Sequence, residues 1–168
     1  MKQLYIKQKV FSLSGKFTVK DQQENDVYVV EGSFMKVPKT FTILNTERNE
    51  IAVITKKMFS FLPTFLVEVN GQEVLTIRKE FTFFQAKYSI DAAGIEVHGN
   101  WWDMNFQVLQ NDEVIGQVNK EWFTWGDSYK VNILKDEMEP VMIALVVAID
   151  CVKADAAAAR SSPANPTN

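Results

Sequence analysis

The sequence predicts a mainly β protein, a closed antiparallel barrel of about twelve strands around a central hydrophobic C-terminal α-helix. Three observations point there. An aromatic residue followed two positions later by a β-branched one recurs along the chain. A turn-forming cluster and a second β-branched run follow each of the first five such pairs. One long apolar run stands near the end of the 168 residues.

The recurring pairs are Phe17/Val19, Phe41/Ile43, Phe65/Val67, Tyr88/Ile90, Phe106/Val108 and Tyr129/Val131, with spacings of 24, 24, 23, 18 and 23 between the aromatics. Period-two alternation marks a strand with one buried face, and regular spacing of this size marks an internal repeat. The second runs are Val27-Val29, Ile51-Val53, Val74-Ile77, Ile95-Val97 and Val114-Val118, residues that suit a pleated, half-buried surface. Asn70-Gly71 and Asn111-Asp112 are the clearest turns between paired runs, because Asn, Asp and Gly tolerate the left-handed backbone that tight hairpins need. The repeating unit therefore reads as a hairpin.

The connectors Lys57-Met58-Phe59-Ser60-Phe61-Leu62, Lys79-Glu80-Phe81-Thr82-Phe83-Phe84 and Lys120-Glu121-Trp122-Phe123-Thr124-Trp125 recur as well. The second and third are 41 positions apart, an offset that also carries Phe65 to Phe106, Ile77 to Val118 and Tyr88 to Tyr129. Five hairpins, the strand from Tyr129 and an N-terminal strand around Leu4-Tyr5-Ile6 exceed what one open twisted sheet usually holds. Closure into a barrel removes the exposed edges. A solenoid or propeller of similar repeats is the competing architecture.

After Lys135-Asp136-Glu137, Pro140 opens the apolar run Val141 to Ile149. Proline suits a first helical turn, and acidic residues before it complement the helix dipole. The run is far shorter than the ~20 apolar residues of a membrane span. It is apolar all round, so it calls for burial on every side. A barrel wider than eight strands leaves a lumen, and a helix about 10 Å across fits one. Burying some ten apolar side chains there contributes on the order of 15–30 kcal/mol as an upper bound. Residues 1–153 are thus expected to form the plugged barrel, and residues 154–168 a disordered Ala/Ser/Pro tail. With its lumen filled, the domain is not expected to carry a small apolar ligand.

Composition narrows the function further. Charged residues are 23% and hydrophobic ones 46%, an ordinary globular balance. A formal net charge of -3 gives no general attraction to nucleic acid. The single cysteine, Cys151, allows no intrachain disulfide and, with one histidine, no Cys/His zinc cluster. Met1 to Val10 lacks the apolar stretch of a secretory signal, so a cytoplasmic location, peripheral to the membrane at most, is expected.

Hairpins with Phe-x-Ile/Val starts, strand ends such as Ile54-Thr55-Lys56-Lys57 and Ile77-Arg78-Lys79, and the late apolar helix together resemble the LURP-one-related family. The likeness runs from about Lys2 to Lys153 and rests on pattern and order. It implies the Tubby C-terminal-like fold, shared with Tubby proteins and phospholipid scramblases, in which a twelve-stranded barrel surrounds a hydrophobic helix. It also implies relatives linked to phosphoinositide binding, membrane association or plant defence. The basic headgroup pocket of Tubby proteins does not align onto this chain, so no site is carried over.

Basic residues recur near strand ends at Lys56, Lys57, Arg78, Lys79, Lys87, Lys120 and Lys130. A closed barrel gathers strand ends at a rim, where Lys56, Lys57, Arg78, Lys79 and Lys120 are the candidate contacts for an anionic headgroup. Neighbouring Glu80 and Glu121 support the plainer reading of solvated, mixed-charge strand ends. Trp101, Trp102, Trp122 and Trp125 read as caps on the barrel ends in preference to membrane anchors. His98 has no partner pattern of a triad or metal site, and a buried Cys151 would be inert. No glycine-rich phosphate cradle precedes a helix. The expectation is a non-enzymatic binding or scaffold module without cofactor or metal, contacting anionic phospholipid or a protein partner through its exterior. The alternatives are a hydrolase using Asp103, His98 or Asp127 in a cleft between connectors, and a structural protein that dimerises through exposed aromatics.

Overall fold

Each aromatic/β-branched pair lies on a strand in the computed structural model, which describes residues 1–7, 16–33, 38–57, 60–80, 87–92, 94–123 and 126–161. The strands are β1 (Lys2–Lys7), β2 (Lys16–Lys20), β3 (Asp26–Gly32), β4 (Thr40–Asn45), β5 (Glu50–Lys56), β6 (Thr64–Val69), β7 (Gln72–Glu80), β8 (Lys87–Ala92), β9 (Glu96–Asn100), β10 (Asn105–Gln110), β11 (Glu113–Phe123) and β12 (Gly126–Ile133). A 3₁₀ turn at Asp136–Met138 leads into α1 (Glu139–Ser161). All ladders are antiparallel, and β1 pairs with both β2 and β12, so the sheet curls into a nearly closed twelve-stranded barrel.

The repeat has a structural core that extends the sequence pattern. Val19, Ile43, Val67 and Val108, the β-branched members of four pairs, are all buried. The ladder shifts register immediately after each of them. A bulge of this kind sharpens the twist and bends the strand, which helps close a barrel. The 41-residue offset also holds in the turns. Asn70 and Gly71 have φ of 50° and 75°, and Asn111 and Asp112 have 51° and 64°, the doubly positive signature of the turn that matches strand twist.

The fourth expected hairpin is different. β8 pairs only with β7, and β9 only with β10, so the two ends of the sheet face one another across a seam. Tyr88 and Ile95 begin adjacent runs in the sequence, but a short loop joins them without a ladder.

α1 fills the lumen, packing on β5, β6, β7 and β12. Met142 to Ile149, Cys151 and Val152 are buried, as an all-round apolar helix requires. The helix runs eight residues beyond Lys153, to Ser161, where the sequence reading begins a disordered tail. Alanine is the strongest helix former, and Ala154 and Ala156 to Ala159 extend α1 while Ala156 is itself buried. Residues 162–168 of that expected tail lie outside the described residues. Among the described residues, no helix is long and apolar enough to cross a membrane.

Candidate functional site: the connector rim

Antiparallel pairing throughout makes every odd-numbered strand end at the same rim. The longer connectors lie there, and the tight turns lie at the other. α1 enters beside the tight turns, where buried Glu139 accepts hydrogen bonds from Tyr28 Oη at 2.7 Å and Lys2 Nζ at 2.6 Å. It leaves at the connector rim, where Asp155 is ion-paired with Lys56 at the end of β5. The connector rim, or mouth, is therefore the end of the barrel at which the C-terminal half of the helix lies.

Strand alternation decides which basic side chains lean into that mouth. Lys56 follows buried Ala52 and Ile54 on the inward face of β5, which is why it reaches Asp155. Lys79 shares a face with buried Leu75 and Ile77 and lies opposite Tyr88. Lys120 shares a face with buried Val118 and lies opposite Tyr129. Arg78 points outward, opposite Thr64 and Ser89, and is exposed, as is Lys57 just past β5. The five candidate residues thus occupy one rim. Lys56, Lys57, Arg78 and Lys79 cluster on β5 and β7, on either side of β6, and Lys120 stands across the mouth on β11.

Three residues join this group that the sequence reading does not single out as contacts. Lys39 places its Nζ 5.2 Å from the Phe41 ring centroid, and Lys153 places its Nζ 5.7 Å from that of Tyr129. Phe61, in the connector between β5 and β6, is 93% exposed. The signal for the inward lysines was present as period two, in Ile54-x-Lys56, Ile77-x-Lys79, Val118-x-Lys120 and Lys39-x-Phe41.

Below the mouth sits Asp150, buried on α1. Tyr129 Oη donates to its Oδ1 at 3.0 Å, while Oδ2 has no hydrogen-bond partner. Burial pushes its carboxyl up to about 6, against the opposing pull of the Tyr129 hydrogen bond and the Lys153 charge. Cys151, its neighbour, is buried, and that burial pushes its thiol well above the ordinary range, so it is a poor nucleophile.

Of the residues of the hydrolase alternative, His98 and Asp103 are each engaged locally. His98 is exposed on β9 and bonded to Glu96 Oε2 at 2.7 Å. Asp103 closes its own turn, accepting from Asn100 Nδ2 at 2.6 Å and donating its backbone N–H to Asn100 Oδ1 at 3.1 Å. The side chain of Asp127 lies outside the described residues, as do that of Trp122 and all of Trp125. Trp101 and Trp102 are half-buried against the core at the connector rim. Trp102 stacks on Tyr88 at 5.5 Å between ring centroids and meets Trp101 edge-on at 5.6 Å.

A family model described as LURP-one-related matches residues 2–150. The uncharacterized protein YxjI of Bacillus subtilis is 30% identical over 152 residues, which cover 90% of this chain and 94% of the relative. The X-ray structure of a protein from Arabidopsis thaliana has a TM-score of 0.57 and 13% identity, over 90% of this chain and 91% of that one. That likeness concerns the fold alone.

Proposed function

Since the chain belongs to the LURP-one-related family, we propose that it is a non-enzymatic binding module whose connector rim rests on the cytoplasmic membrane surface and contacts anionic phospholipid headgroups. The observation that carries this reading is the coincidence, at one rim, of the basic cluster with the exposed ring of Phe61. Basic side chains supply attraction to phosphate, worth about 1 kcal/mol each near an anionic surface. A bare aromatic side chain supplies an apolar contact just below the headgroups. The filled lumen supports an exterior site, because α1 occupies the space an internal ligand would need.

Flotation on phosphatidylcholine vesicles, with and without phosphatidylserine or phosphoinositide, tests the reading. Binding is expected only with anionic lipid and is expected to weaken with salt. Reversing Lys57, Arg78 and Lys79 together to Glu is expected to lower partitioning by on the order of a hundredfold. Phe61→Ser is expected to lower it about tenfold or more. All four side chains are at least partly exposed, so the barrel should melt unchanged. No flotation on anionic vesicles at low salt would overturn the proposal.

A further inference from the structure

The seam between β8 and β9 is the one place where the described sheet presents two unpaired edges to each other. Every other strand has a ladder on both sides. Beyond the loop that joins them, the two backbones lie mostly more than 8 Å apart. Bonded strands stand about 4.8 Å apart, so a strand bonded to both edges would need them roughly 9.6 Å apart. The two edges are therefore too far apart to bond to each other along most of their length, as insertion of a further strand requires.

The side chains along the seam are sorted by face. Inward lie Ile90 and Ala92 of β8 and Val97 of β9, only partly buried, with the Tyr88–Trp102 stack as the floor at the connector end. The corresponding inward residues of other strands, such as Ile54, Val67 and Val131, are fully buried. Outward lie Ser89 and Asp91 on β8, and Glu96, His98 and Asn100 on β9, with Asp91 and Glu96 both exposed. Neither edge has the lysine or proline in its seam-facing strand centre that commonly discourages pairing.

We infer that this seam accepts an extended peptide segment of a partner protein, five or six residues long, which inserts between β8 and β9 and completes the barrel wall. Its backbone pairs with the two free edges. Alternate side chains, β-branched or aromatic, cover Ile90, Ala92 and Val97, and the intervening ones are basic and face Asp91 and Glu96. Strand addition draws affinity from main-chain hydrogen bonds and selectivity from alternate side chains. The site adjoins the lysine cluster at the connector end, where Arg78 lies opposite Ser89 and Lys79 opposite Tyr88, and differs from it in the acidic charge of Asp91 and Glu96.

The test uses the full chain and a fluorescein-labelled peptide, acetyl-Lys-Val-Lys-Ile-Lys-Val-amide, followed by anisotropy and by amide hydrogen exchange. Saturable binding is expected, with new protection at the amides of β8 and β9. N-methylation of alternate peptide amides is expected to weaken it at least tenfold. The double variant Asp91→Lys, Glu96→Lys is expected to lose the lysine peptide by at least tenfold and to gain the version with Glu in place of Lys. Absence of saturable binding up to millimolar peptide would overturn the inference. So would binding that N-methylation leaves unchanged, or protection that falls outside β8 and β9. Saturable binding of dodecanoate at the seam without binding of the peptide would also overturn it, marking an acyl-chain groove instead.

Discussion

Asp150→Asn isolates the energetic consequence of a carboxyl buried in the plug. In the folded chain Asp150 titrates at about 6, and in the unfolded chain near 3.8. A raised folded value means that the native state holds the proton more tightly than the unfolded state does. The sign is thus opposite to that of a salt-bridged carboxylate: the contribution is fully favourable below about 3.8 and is lost as pH rises through about 6. At 1.36 kcal/mol per pH unit, the loss is about 3 kcal/mol. Asn keeps an acceptor for Tyr129 Oη and cannot ionise. Its amide nitrogen takes the place of the unpartnered Oδ2, at a cost that does not vary with pH. Urea unfolding of both proteins from pH 4 to 8 therefore separates the two effects. Wild type minus variant should fall by about 2.4 kcal/mol across that range, the rest of the loss lying below pH 4, with most of the change between about pH 4 and 6.5. A difference that stays flat would refute the assignment of a buried, desolvated carboxyl.

Further perturbations test the packing of the plug. Deleting residues 138 to 153 should give an insoluble or molten protein, seen as lost near-ultraviolet dichroism and dye binding, and a truncated barrel with an intact cooperative melt would remove the plug from the account. A Cβ on Gly116 would stand 2.4 Å from Met142 Cε and 2.8 Å from its Sδ, so Gly116→Val should cost about 1–3 kcal/mol by overpacking. Met142→Ala alone should cost about 2–5 kcal/mol, and the double variant less than the sum by at least about 1 kcal/mol; strict additivity in urea melts would contradict the contact. Tyr28→Phe removes a donor to buried Glu139 and should lower stability by about 1–3 kcal/mol, whereas an unchanged midpoint would mean that Lys2 alone satisfies the carboxylate.

The barrel was legible because its causes are local. Alternation at Phe41-x-Ile43 or Phe106-x-Val108 follows from one buried face, and Asn70-Gly71 follows from the backbone angles of a tight turn. The bulges after Val19, Ile43, Val67 and Val108 have no residue signature apart from the aromatic/β-branched pair whose last member each of them follows. The seam was illegible too: Tyr88-x-Ile90 and Ile95-x-Val97 have ordinary strand chemistry, and whether two strands meet depends on the circumference set by the other ten. The end of α1 was misread because a run of alanines is weakly apolar and low in complexity. Alanine's helix propensity favours the extension, and the lumen, which buries Ala156 and brings Lys56 to Asp155, adds to it. For the rim, residue type and position along the strands were readable, but the ion pair of Lys56 depended on that same helical extension.

A helix that is apolar all round gains about the same burial at many rotations and axial positions, so the hydrophobic effect alone would hold α1 inside the barrel without fixing where. The polar contacts supply that choice. Glu139 is held by Tyr28 and Lys2 at the tight-turn rim, Asp150 by Tyr129 inside, and Asp155 by Lys56 at the connector rim. Sliding α1 by one turn would move each carboxylate by about 5.4 Å, leaving Glu139 and Asp150 buried without these partners. Unpaired buried charge is among the costliest of faults. The three anchors therefore set the register of the plug, and with it the height at which Lys153 and Asp155 meet the lysines of β5, β7 and β11. The charge at the mouth is in this sense a consequence of how the core is pinned, which is why a change at Glu139, at the far end of the barrel, should be felt at the rim.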